Sequence, residues 1–168
     1  MEIIQTLGTL DALTLADYIL KNYGPMSHLK LQKLVFYCQA YHLGYFNSPL
    51  IEDDFQAWVH GPVCRRVFDD QQDVSLLHCD IRYSNYKNED PDVVFSEALI
   101  SSQKEFIKDI LTDLAAWTGL ELEACTHREK PWIIGRIGYG PADRCEVIIS
   151  KESMREFYSK ELVSWWPN

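Results

Sequence analysis

Two short stretches hold most of the side chains that could do chemistry. Residues 57–68, AWVHGPVCRRVF, place Trp58, His60, a Gly61-Pro62 step, Cys64 and two arginines within twelve positions. Residues 126–132, THREKPW, place His127, Glu129 and Trp132 within seven. If they met in space, His60 and His127 with Glu129 as third ligand would form a zinc-type donor set. Zinc sites usually carry a local pair such as H-x-x-x-H or C-x-x-C, because one turn then fixes two ligands. Neither spacing occurs in this chain. A second chemistry is a hydrolase with Cys64 as nucleophile and His60 or His127 as base. There is no G-x-S-x-G elbow and no glycine-rich phosphate loop, and Gly135, Gly138 and Gly140 in GRIGYGPA read as a turn. The third reading is structural. His60 would sit just before a helix start, and His127 just after a short helix whose dipole favours its positive form. Trp58 and Trp132 would anchor loops through their rings and indole N–H groups. On that reading no catalytic residue, metal or cofactor is expected, and both stretches brace loops at helix ends.

The whole chain bounds these options. Its 168 residues suit one domain, and nearly half are apolar, so a packed core is expected rather than disorder. The formal net charge of −9 is unsuited to a phosphate backbone and favours a basic protein partner instead. Five widely spaced cysteines, Cys38, Cys64, Cys79, Cys125 and Cys145, fit neither a disulfide framework nor a zinc ribbon. Three of them read as small core residues, which fits a reducing cytoplasm. The N-terminus carries acids and no basic region of a signal peptide, and no apolar run approaches the ~18 residues of a membrane span.

Hydrophobic periodicity supplies the positioning elements. A helix is expected over 9–23, capped by Thr9 or Asp11, stopped by Gly24-Pro25, and facing inward with Leu13, Ala16, Ile19, Leu20 and Tyr23. A central helix over 28–46, capped by Ser27, is apolar or aromatic over more than half its girth. NSPL, 47–50, is a turn, and 51–59 is a short strand or a single helical turn. Gly61-Pro62 should open a short helix over 62–69. Residues 70–94 are an irregular excursion with one short strand at 77–83. An amphipathic helix over 96–117 turns Phe106, Ile107, Ile110, Leu111, Leu114 and Trp117 inward. Thr118 and Glu121 form a capping box for a helix to about 126. Turns follow a short apolar segment, and Ser150 caps a last helix over 151–163 with Met154, Phe157 and Tyr158 inward. The expected fold is mainly α, a single compact domain of about five or six helices with at most a small β-sheet or hairpin. An α+β arrangement is the second choice.

Four segments in order resemble the Panacea domain family, the SocA-type antitoxins with their GepA-like phage- and mobile-element-associated relatives. They are Leu29-Lys30-Leu31-Gln32-Lys33-Leu34, Pro49-Leu50, Ala57-Trp58-Val59-His60-Gly61-Pro62-Val63, and Thr126-His127-Arg128-Glu129-Lys130-Pro131-Trp132. The resemblance covers roughly 13–160. Gln56 departs from it, standing where the family often has an acid, and the SWWPN tail has no counterpart. The resemblance implies a helical bacterial antitoxin, not an enzyme. Such a protein would bind a cognate toxin encoded by an adjacent gene, and one relative hands its toxin to a Clp-type protease. Nucleic acid and membrane are not implied as partners. Lys30, Lys33 and Tyr37 lie on one stripe of the central helix at +3 and +4 steps. With Trp58, His60, Pro62, His127, Glu129 and Trp132 they make the candidate partner-binding surface. Binding of a host factor by a phage-borne protein is the alternative to toxin neutralisation.

Overall fold

Local signals start most of the elements. Asp11 accepts the Leu13 amide at 2.9 Å and begins α1 (Ala12–Tyr23). A two-residue strand, β1 (Met26–Ser27), leads into α2 (His28–Phe46), where Ser27 Oγ accepts the Lys30 amide at 3.1 Å. Asn47, in the left-handed region at φ 56°, ends that helix. A hairpin of β2 (Phe55–Trp58) and β3 (Gly61–Val63) precedes α3 (Arg65–Asp70) and β4 (Asp80–Ile81). The remainder is α4 (Pro91–Ala98), α5 (Ser101–Leu114), α6 (Gly119–His127), α7 (Lys130–Gly135), β5 (Ile148–Ile149) and α8 (Lys151–Trp165). This computed structural model describes residues 6–71, 74–77, 79–85, 87 and 89–165, and side chains as far as residue 162. The tail's side chains and the first five residues therefore lie outside the described residues.

The fold is mainly helical with a small β part, as the periodicity predicts, yet there are eight helices among the described residues rather than five or six. The helix expected over 96–117 is two. Asp90 caps α4 by accepting the Asp92 amide at 3.0 Å, with Pro91 at the first helical position. Leu99 is extended, and Gln103 Oε1 then takes the Ile100 amide (3.2 Å) and the Gly8 amide (2.9 Å) to restart the chain as α5. Trp117 falls beyond that helix and is exposed, not inward. The other correction concerns Pro62. It lies in β3 opposite Ala57, and the helix starts only at Arg65. The strand order is β3-β2-β5, so β3 is an edge, where proline's missing N–H breaks no ladder. The pairing of β5 with β2, Phe55 opposite Ile149, is not visible in the sequence.

α2 is the axis of the molecule, with α8, α6, α1 and α5 packed around it. Its close approach to α8 requires Gly44, because a Cβ there would stand 2.7 Å from the Ser159 nitrogen. Every α2 residue from His28 to Leu43 except Lys30 is buried, so its polar side chains must find partners inside. They clamp loops. Gln39 accepts the Leu50 and Ile51 amides (2.8 and 3.0 Å) and donates to the Ile51 carbonyl (2.8 Å). Gln32 accepts the Cys64 amide at 2.9 Å, and His42 donates to the Ser48 carbonyl at 2.6 Å. One helix thus fixes both ends of the segment that carries the hairpin.

Candidate functional site

The hairpin projects the first chemical stretch. β2 and β3 close over Val59 and His60, and Gly61 takes φ +100°, which a side chain would resist. His60 is therefore at a hairpin tip and not before a helix. Beneath the tip lies Lys33, fully buried, donating from Nζ to the Pro62 carbonyl at 2.8 Å. Burial pushes its amine down to about 7, against the pull of Glu123. Lys33 supports the hairpin from within and is not a solvated side chain. Lys30, one turn earlier and half-buried, donates to the Ala115 carbonyl at the end of α5 (2.6 Å).

Both imidazoles come to one carboxylate, but it is Glu123, not Glu129. His60 Nδ1 lies 2.8 Å from Glu123 Oε1, and His127 Nε2 lies 3.7 Å from the same oxygen. The spacing of Glu123 four residues before His127 on α6 is the sequence signal that could have found it. The His127 ring stacks on Trp132, with centroids 4.0 Å apart and planes 14° apart. Its Nε2 is buried without a hydrogen-bond partner. Burial, the largest influence, pushes its pKa below the usual imidazole range, so the dipole-favoured cation expected from its place on α6 is outweighed. Among the described residues no group of three His, Cys, Asp or Glu side chains is arranged to hold a metal.

The tryptophans act as ties. Trp132 Nε1 donates to the Trp58 carbonyl at 2.8 Å, joining α7 to the hairpin. Trp58 Nε1 donates to Gln56 Oε1 at 2.8 Å, so the neutral amide at this departure from the family pattern still supplies the acceptor. Arg136, missed by sequence reasoning, is the strongest clamp of the corner. It is 6% exposed and donates to the carbonyls of Ala57 (2.9 Å), Gly140 (2.7 Å) and Asp143 (2.8 Å). An arginine inside a glycine-rich turn, with several backbone carbonyls to satisfy, was its signal. Cys64 is buried, burial raises its thiol, and its backbone is held by Gln32. A raised thiol in the core is not an activated nucleophile.

The remaining candidates gather elsewhere. Glu129 Oε1 accepts the hydroxyls of Tyr37 (2.5 Å) and Tyr158 (3.1 Å). Desolvation pushes this carboxyl up to about 7, helped by nearby Glu161 and opposed by the two hydroxyls and Arg128. Apart from Lys30, which ties α2 to the end of α5, the candidates thus form two groups. Trp58, His60, Pro62, Lys33, His127 and Trp132 build the hairpin corner, while Tyr37 and Glu129 belong to a tyrosine cluster.

A third feature adjoins the hairpin. α7 packs on β5, and these elements with the turn between them expose Ile133, Ile134, Ile137, Tyr139, Val147 and Ile148. A cavity of about 370 Å³ is lined by Trp58, His60, Arg65, Phe68, Arg144 and Glu146.

Fold and site together define a helical scaffold that uses its imidazoles, indoles and lysines to hold a small-sheet corner in place. The chain belongs to the antitoxin SocA-like family, the Panacea domain, whose family model matches residues 31–133. The matched span runs from α2 into α7 and includes the hairpin, Glu123 and Glu129. Neither a curated protein nor a solved structure matches the chain. No helix among the described residues is long and apolar enough to cross a membrane.

Proposed function

We propose that this protein is an antitoxin that neutralises a protein toxin, encoded by an adjacent gene, through direct binding and without catalysis. The observation that carries the reading is the exposed apolar corner of α7 and β5. Apolar side chains gathered on elements that pack together are characteristic of a protein-binding surface. The family membership supplies the class of partner, and the net charge of −9 favours a basic one, drawn in at rates that fall with salt. Trp58, His60, His127 and Trp132 present the rim of this surface and buried Lys33 and Pro62 set its shape, while Lys30 on α2 and Glu129 with Tyr37, just past the end of α6, offer a second area of contact. Handing the bound toxin to a Clp-type protease is a further step that the same complex would permit.

The test is co-expression with each neighbouring open reading frame. The expected result is rescue of growth from one of them and a stable complex burying about 1,200–2,000 Å². Neither rescue nor complex with any neighbour would end the reading; capture of a host factor instead would redirect it to a phage-type interaction protein.

A further inference from the structure

A second cavity, of about 340 Å³, opens between α2, α6 and α8. Its walls are aromatic: Tyr37 and Tyr41 from α2, Phe157 from α8, and Trp117 from the loop before α6. Trp117 is 43% exposed, unusual for a ring of that size with no interior role. Two carboxylates line the cavity, Glu129 and Glu161. The hydrogen bonds of Glu129 both fall on Oε1, from Tyr37 and Tyr158, and no cation pairs with it among the described residues. Arg128 also lines the cavity, but its guanidinium donates to Cys125 Sγ at 3.5 Å and not to Glu129.

Ring faces carry negative potential, and so does a carboxylate behind them. Together they attract an organic cation and hold its apolar stem. Arg128 acts on Glu129 only weakly, so a neutral or anionic side chain would leave the carboxylate without a direct ion-pair partner. We propose that this cavity is a recognition pocket for a cationic side chain, an arginine or lysine of the partner protein, seated between Trp117 and the tyrosines with its charge toward Glu129. The proposal rests on the reading of the chain as a protein-binding module and names the chemistry of one contact. It also explains why a carboxylate stands at so dry a position: the partner's cation completes it. In the free protein burial raises the Glu129 carboxyl to about 7. The groups facing it are Tyr37, Tyr41, Tyr158, Cys125, Arg128 and Glu161. The tyrosines and Cys125 are all held above their usual ranges, so Glu129 is the group whose titration near neutrality the cation would feel.

The test uses the whole chain and needs no partner. N-acetylarginine methylamide is titrated into the labelled protein and followed by amide NMR, with the isosteric but neutral citrulline derivative as control. The expected result is saturable shifts at residues lining the cavity with the arginine probe only. Affinity should rise as pH is raised through about 7, because ionised Glu129 is the binding form. Glu129→Gln should weaken the probe roughly tenfold and flatten that pH dependence. Absence of saturable shifts, an equal response to the citrulline probe, or unchanged affinity in Glu129→Gln would overturn the proposal. Failure of the toxin reading would show in co-expression and leave this titration unaffected, so the two failures can be told apart.

Discussion

Replacing Glu129 by glutamine should stabilise the protein, by an amount that grows as the pH rises from about 4.5 to about 7 and is constant above that. The side chain is mostly buried beside Tyr37, Tyr41 and Tyr158, and burial raises its carboxyl from 4.5 to about 7. A carboxyl whose folded pKa exceeds its unfolded one favours folding when protonated. That contribution is fully present below about 4.5 and has been lost once the pH has risen through about 7. The difference amounts to about 3 kcal/mol at pH 8, a large share of the ~5–15 kcal/mol that holds a domain together. Glutamine keeps an oxygen to accept from Tyr37 and Tyr158 and removes the charge. Urea unfolding of wild type and Glu129→Gln at pH 5 and pH 8 measures the effect, the m-values serving to confirm equal surface exposure. The expected gain is about 2–3 kcal/mol at pH 8 and below ~1 kcal/mol at pH 5. Equal effects at both pH values, or a less stable variant at pH 8, would refute the claim that a desolvated charge sits here.

Other substitutions probe the hairpin and its clamps. Gly61→Ala should destabilise by about 2–3 kcal/mol in thermal or urea unfolding, since φ is +100° and the new Cβ would lie 2.6 Å from Lys33 Cε and 2.8 Å from Thr126 Oγ1. Gln39→Ala should cost about 3 kcal/mol or more in urea unfolding, because the Leu50 and Ile51 amides and the Ile51 carbonyl lose their buried partner. Trp132→Phe keeps the ring against His127 but loses the bond to the Trp58 carbonyl. It should lower stability by about 1 kcal/mol and speed hydrogen exchange at the hairpin more than in α2.

What the sequence revealed was what the chain decides locally. α2 and its Ser27 cap, the Asp11 and Thr118 caps, and Ser150, whose Oγ accepts the Ser153 amide at 2.9 Å, all follow from residues within a turn of one another. The hairpin did not, because Gly61-Pro62 reads equally well as a helix start. What decides is Lys33 beneath it, Arg136 behind it and a β5 strand some ninety residues downstream. Lys33 itself sat on an apparently polar stripe with Lys30, and only the packing of α6 and the hairpin over α2 buries it. The imidazoles were recognised as a pair, but the carboxylate between them was misassigned by six residues. Glu129 is in the same short motif, while Glu123 faces the hairpin from one helical turn before His127. The break at Leu99 depends on Gln103 reaching Gly8, a contact of high sequence separation.

The claim on which the functional account stands is that the exposed corner of α7 and β5 grips another polypeptide. Ile134 and Ile137 are 50% and 73% exposed, so Ile134→Asp with Ile137→Asp should leave the unfolding midpoint close to wild type. Calorimetric titration of wild type and this double variant with the product of the adjacent gene is the most direct measurement. A tight complex with wild type, weakened roughly a hundredfold or more in the variant, is the predicted result. Equal affinity of the two proteins, or no heat of binding with wild type, would contradict the account.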